Sequence, residues 1–154
     1  MDNMKEIKEG DEFIMLTRNN AITSKLIIWR YRSWSTHAAY AKMIDGQLVV
    51  FESDFILFKR NGVQAVSWSN WKHRKKLMRV IPLDRGVIKW DRVIQTLGKK
   101  YAIKDWFKHL GNWFRWNKSP EDHNTFTCTK LVAYILDLPE WWKASPKTLE
   151  DKLL

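Results

Sequence analysis

Asp45-Gly46 stands between two apolar runs, Ser35 to Ile44 and Gln47 to Ser53. This dipeptide is a short-range signal for a two-residue hairpin, because the turn that fits twisted strands needs left-handed backbone at both central positions. A turn here pairs Ile44 with Gln47. Side chains alternate with a period of two, so that one pairing dictates all the others. Ala39 then falls opposite Glu52, and His37 shares a face with Glu52 as its diagonal neighbour, at a Cα separation of roughly 7 to 8 Å. The same face carries Ala39, Ala41, Leu48 and Val50. Two ionisable groups therefore stand at the end of a face that is apolar toward its middle. A solvent-facing polar pair is the plain reading. A partly closed site is the alternative, in which Glu52 accepts the N–H of His37, sets its tautomer and raises its basicity.

The rest of the chain reads as mixed strands and helices. Glu12 to Leu16 is a short buried strand, and Ile22 to Tyr31 fits a helix that Asn20 would cap. Asn61-Gly62 is expected to turn into an alternating strand, Val63 to Trp68, and Met78 to Leu83 forms a further strand, ended by Pro82 and Asp84-Arg85-Gly86. Val87 to Leu97 suits a helix stopped by Gly98. Residues 101 to 124 read as a short helix and a long irregular segment. Thr127 to Leu136 is a strong helix, and Ser145-Pro146 opens a last one to Leu153. With 154 residues and no internal repeat, the expectation is a single α+β domain over 1–154.

Cys128 is the only cysteine, which excludes an intrachain disulfide and argues against a cysteine-based zinc site. Leu131, Val132 and Ile135 follow at three, four and seven residues, so Cys128 lies on the apolar stripe of its helix. A lone cysteine in such a place is ordinarily a small buried hydrophobe. Its position in the first helical turn carries a second meaning. The dipole and the unpaired amides there favour thiolate and help hold an oxyanion. A cysteine at a helix start, facing a sheet that carries a histidine and an orienting carboxylate, has the parts of a nucleophile–base–orienter triad. His109, Glu121, Asp122 and His123 match no metal-ligand spacing, so neither metal nor cofactor is expected.

Lysine and arginine number 27 against 17 acids, a formal charge of +10, with the densest run at Lys72-His73-Arg74-Lys75-Lys76. Polyanionic partners follow from that balance. Ten tryptophans are more than one core needs, and flat rings suit sugars, bases or a membrane interface. Basic grooves with stacking aromatics bind single-stranded nucleic acid, but no nucleic-acid-binding motif is present, so that partner is not favoured. No apolar run reaches the length of a membrane span, and Met1 to Glu9 lacks the features of a signal peptide. The expectation is a protein cytoplasmic at synthesis.

The order of these pieces resembles the circularly permuted NlpC/P60 superfamily of papain-like cysteine peptidases and amidases. A Gly-Asp strand (Gly10 to Phe13) comes first, then a Ser-x-His strand (Ser35 to Tyr40) and a strand ending in glutamate (Val49 to Glu52). Gly62-Val63, a Gly-x-x-Tyr segment (Gly98 to Tyr101), the cysteine helix (Thr127 to Val132) and Ser145-Pro146-Lys147-Thr148-Leu149 complete the series. Family members often carry Cys-Ser-Glu where this chain has Cys128-Thr129-Lys130.

The resemblance implies a papain-like fold, an antiparallel sheet packed against the helix of the nucleophile. It implies Cys128, His37 and Glu52 as the catalytic set, with Tyr101, Tyr40 and Ser35 on the substrate side. The implied activity is hydrolysis of an amide through an acyl-enzyme, with bacterial cell-wall peptide as substrate and an anionic wall polymer as the surface met. A phage-encoded or lysis-released enzyme would fit the missing signal peptide. The superfamily also holds acyltransferases and thioesterase-like members, which keeps lipid and ester substrates open, and a non-catalytic basic binding module is the remaining alternative.

Overall fold

The structure, a computed structural model, describes residues 7–19, 22–56, 60–73, 77–102 and 122–154. Its centre is a five-stranded antiparallel sheet of β1 (Glu12–Arg18), β2 (His37–Ile44), β3 (Gln47–Ile56), β4 (Arg60–Ser67) and β5 (Leu77–Leu83), in the order β4-β3-β2-β1-β5. A parallel pair, β6 (Lys100–Tyr101) and β7 (Thr125–Phe126), stands apart. The helices are α1 (Ile22–Tyr31), α2 (Trp68–Lys72), α3 (Trp90–Thr96), α4 (Cys128–Ile135) and α5 (Pro146–Leu153), with a 3-10 turn at Trp141–Lys143. The chain is thus mixed α+β. None of the described helices is long and apolar enough to cross a membrane.

The β2–β3 hairpin has the register that Asp45-Gly46 demands. Asp45 and Gly46 sit at φ 50° and 70°, Ile44 pairs with Gln47, and Tyr40 pairs with Phe51. Both turn amides donate to the Glu9 carboxylate, at 3.1 Å each. Period-two alternation then divides the core. Ile14, Leu16, Ala38, Tyr40 and Phe51 face α3, α4 and α5 and pack with Val93, Leu131, Val132 and Leu149. Met15, Ala39, Ala41 and Val50 face the other way and are covered by Trp71 of α2. Each buried aliphatic or aromatic side chain in these layers contributes on the order of 1.5–3 kcal/mol of transfer free energy.

Several boundaries depart from expectation for physical reasons. Asn61-Gly62 is no turn. Strand β3 runs on to Ile56 and β4 begins at Arg60, so both residues lie inside β4. Gly62 is needed for another purpose: at φ +128° it passes so close to the Lys99 carbonyl that any Cβ would collide with it. The outer edge of β4 is bonded there, with Val63 N donating to Lys99 O at 2.8 Å and Gly98 N to Val63 O at 2.9 Å. Trp68 opens α2 rather than ending a strand. Pro82 does not end β5 but lies within it, opposite Phe13, which an edge strand tolerates because one side of its ladder needs no donors. The helix expected over Val87 to Leu97 is shortened to Trp90–Thr96. Asn20, residues 74–76 of the basic run, and 103–121 of the aromatic segment lie outside the described residues.

Candidate active site

Glu52 is wholly buried and Trp71 is its lid. Its Oε2 meets His37 Nε2 at 2.9 Å and accepts the indole N–H of Trp71 at 2.7 Å, while Oε1 accepts the Gln64 side-chain amide at 3.2 Å. Three partners for one carboxylate is the full satisfaction that a buried charge requires. His37 is the first residue of β2 and only 9% exposed. With Nε2 engaged by Glu52, the ring orientation is set by its carboxylate partner. The pair that the hairpin register predicted is therefore in hydrogen-bond contact. Trp71 and Gln64 were not foreseen, since α2 folds over the sheet by a contact no local pattern announces.

Cys128 begins α4. Thr127 is the N-cap, its side chain accepting from Lys130 N at 3.3 Å. The cysteine is buried at 7% exposure, on the stripe shared with Leu131, Val132 and Ile135, as its spacing predicted. That stripe faces the Ala38–Tyr40–Phe51 layer, however, whereas His37 and Glu52 belong by strand alternation to the Ala39–Val50 layer. At the end where β2 begins, Thr36, the neighbour of His37, and Cys128 line one cleft. Consecutive residues of β3 hold both arms. Glu52 holds His37 on one face; on the other, Ser53 Oγ donates to Phe126 O at 2.6 Å, two residues before Cys128.

A cleft with about 630 Å³ of empty space, solvent at its mouth included, opens over Cys128. Thr36, the neighbour of His37, lines it together with Tyr101 and Thr127. Its walls are Leu26, Ile27 and Tyr31 of α1 on one side and Ala144 and Pro146 on the other. Burial raises the Tyr101 hydroxyl well above the usual phenol range, and negative charge at Cys128 and Asp54 pushes it the same way. Tyr101 is thus a neutral donor at the cleft floor. Its backbone is placed by the β6–β7 pairing, Tyr101 with Phe126, and its N–H donates to Asn61 Oδ1 at 3.3 Å.

Two residues expected on the substrate side have other tasks. Tyr40 is fully buried in the α4-facing layer, its ring 5.6 Å from Phe51 and its hydroxyl donating to Glu12 Oε1 at 3.0 Å, so no substrate reaches it. Ser35 is 1% exposed. Its N–H donates to Glu150 Oε1 at 2.6 Å, the same oxygen that accepts from Ser33 Oγ, while Trp34 N donates to Oε2 at 3.1 Å. Glu150 of α5 thereby grips the loop leading into His37. His123 packs its ring against Tyr134 and Trp141, at 5.6 and 5.1 Å. Among the described residues, no group of three or more His, Cys, Asp or Glu gathers to hold a metal; His109 and Glu121 lie outside them. No family model, no curated protein and no solved structure matches this chain.

Proposed function

We propose that the protein is a papain-like cysteine hydrolase of the permuted NlpC/P60 kind, with Cys128 as nucleophile, His37 as base and Glu52 as the group that holds the base. The observation that carries this reading is the buried, fully partnered His37–Glu52 pair at the end of β2, beside a cleft that Thr36 and Cys128 both line. Burying a carboxylate and an imidazole together is costly unless hydrogen bonds compensate it, and buried ionisable pairs of this kind concentrate at functional sites.

In the reaction, the imidazole of His37 takes the thiol proton at Nδ1 and the thiolate attacks a carbonyl carbon. The carbonyl π pair moves onto oxygen, where the Cys128 backbone N–H at the helix start stabilises it. Collapse of this tetrahedral species breaks the bond to the leaving group, which departs with the proton from His37, and an acyl-thioester remains on Cys128. A water that gives its proton to His37 then attacks the thioester. The acid is released and the proton returns to sulfur. Glu52 stays ionised and balances the imidazolium.

The resemblance makes a cell-wall peptide amide the first substrate to test, and the cationic surface suits an anionic wall polymer. The cleft itself favours a second reading. Leu26, Ile27, Tyr31, Ala144 and Pro146 offer an apolar wall, which fits the acyl part of an ester or thioester.

Iodoacetamide labelling tests the chemistry without a known substrate. A thiol activated by its imidazole reacts quickly near neutral pH in the folded protein, and His37→Ala slows it by about tenfold or more. A Cys128 that reacts only after unfolding, at a rate His37→Ala leaves unchanged, removes the hydrolase reading.

A further inference from the structure

Helix α1 has apolar side chains on both of its faces. Its inner side supplies Ile27 and Tyr31 to the cleft, with Ser24 buried at 7% exposure. Its outer side carries Leu26, 45% exposed, and Trp29, 62% exposed. Residues three apart share a helix face, so these two form one apolar patch, and Lys25 and Arg30, both exposed, flank it on either side. The Arg30 guanidinium lies 5.7 Å from the Tyr31 ring and lines the cleft. The surrounding sequence is one-signed. No Asp or Glu occurs between Glu12 and Asp45, a stretch that holds Arg18, Lys25, Arg30, Arg32 and Lys42.

Trp and Leu at the centre of a helix face with Lys and Arg at its margins is the arrangement of a helix that lies in a lipid–water interface. The apolar side chains enter the acyl boundary, and the basic stems reach back to anionic headgroups. A nucleic acid would use the charge but has little use for an exposed leucine. A protein partner would explain the apolar patch but gains nothing particular from an acid-free stretch of 32 residues, 13 to 44. Leu26 belongs to both the patch and the cleft lining, so the patch is continuous with the mouth of the cleft over Cys128.

We infer that α1 docks this protein on an anionic lipid bilayer, through Leu26 and Trp29 with Lys25 and Arg30 at the headgroups, so that the cleft opens toward the membrane surface. The inference does not depend on Cys128 being a nucleophile.

Sedimentation with sucrose-loaded vesicles tests it, using phosphatidylcholine alone and phosphatidylcholine with about 30 mol % phosphatidylserine. The full chain is compared with the L26A/W29A and K25E/R30E double variants, each first shown to keep the parent's circular dichroism and melting profile. The parent sediments with the anionic vesicles and much less with the zwitterionic ones. Each double variant binds the anionic vesicles roughly tenfold more weakly or worse. The same proteins are titrated with a single-stranded oligonucleotide, for which L26A/W29A behaves as the parent. Three outcomes overturn the inference: no binding of the parent to anionic vesicles, unchanged vesicle binding in both variants, or a loss in L26A/W29A that appears with the oligonucleotide and not with the vesicles.

Discussion

The indole N–H of Trp71 and the Nε2 of His37 converge on one oxygen of Glu52, at 2.7 and 2.9 Å. Trp71 thus does two things at once. It seals the Ala39–Val50 layer from solvent, and it supplies a donor that a buried carboxylate would otherwise lack.

Replacing Trp71 with phenylalanine separates these roles. The ring still packs, but Glu52 Oε2 loses a donor. The expected cost is about 1–3 kcal/mol of stability, the range for a buried polar group deprived of a partner. Urea unfolding of the variant measures it. A variant as stable as the parent would mean that the indole N–H contributes packing alone.

Gly62→Ala is expected to be among the most damaging small substitutions. The added methyl meets the Lys99 carbonyl, and φ +128° is a backbone region that alanine avoids. The segment displaced is the one that bonds to Val63 and leads to Tyr101. A loss of more than about 2 kcal/mol is expected in the urea midpoint and slope, with the strain and the lost ladder bonds adding.

Glu150 links stability to pH. Burial alone would raise its carboxyl, but hydrogen bonds from Ser33 Oγ and from the Ser35 and Trp34 amides outweigh that and hold it below its ordinary value of 4.5. A carboxyl lowered by folding adds stability that is fully present above its unfolded value and is lost as pH falls through the folded one. The parent should therefore weaken below about pH 4.5, and Glu150→Gln should weaken less steeply there while being less stable at neutral pH by roughly 1.5–3 kcal/mol. Unfolding curves at a series of pH values check both signs.

Ser145→Ala removes one half of a reciprocal cap. Ser145 Oγ accepts from Thr148 N at 3.2 Å, and Ser145 N donates to Thr148 Oγ1 at 3.3 Å. The expected loss is about 1 kcal/mol, with Ser145→Asp restoring most of it. Because Ser145 lines the cleft with Ala144 and Pro146, labelling of Cys128 in the variant reports whether that part of the lining has moved.

Local chemistry was legible wherever one short segment decides its own geometry. Asp45-Gly46 sets a register, and that register brings His37 and Glu52 together. The Ser145 cap and the apolar stripe of α4 could be read in the same way, because capping and periodicity need only neighbours in sequence. The Asn61-Gly62 turn was misread because the glycine answers to Lys99, a residue far along the chain. Tyr40 and Ser35 were set on the substrate side by the family resemblance alone. Strand alternation turns Tyr40 into the core, and Glu150 claims the amide of Ser35.

By itself, then, the sequence determined the hairpin, its register, the His37–Glu52 contact and the start of the Cys128 helix, since each rests on hydrogen bonds or side-chain periods within a dozen or so residues. Tertiary structure alone decided that α2 lays Trp71 over Glu52 and that α5 sends Glu150 to the loop before His37. Those choices depend on which distant surfaces bury one another, and burial is a property of the packed whole that no local pattern encodes.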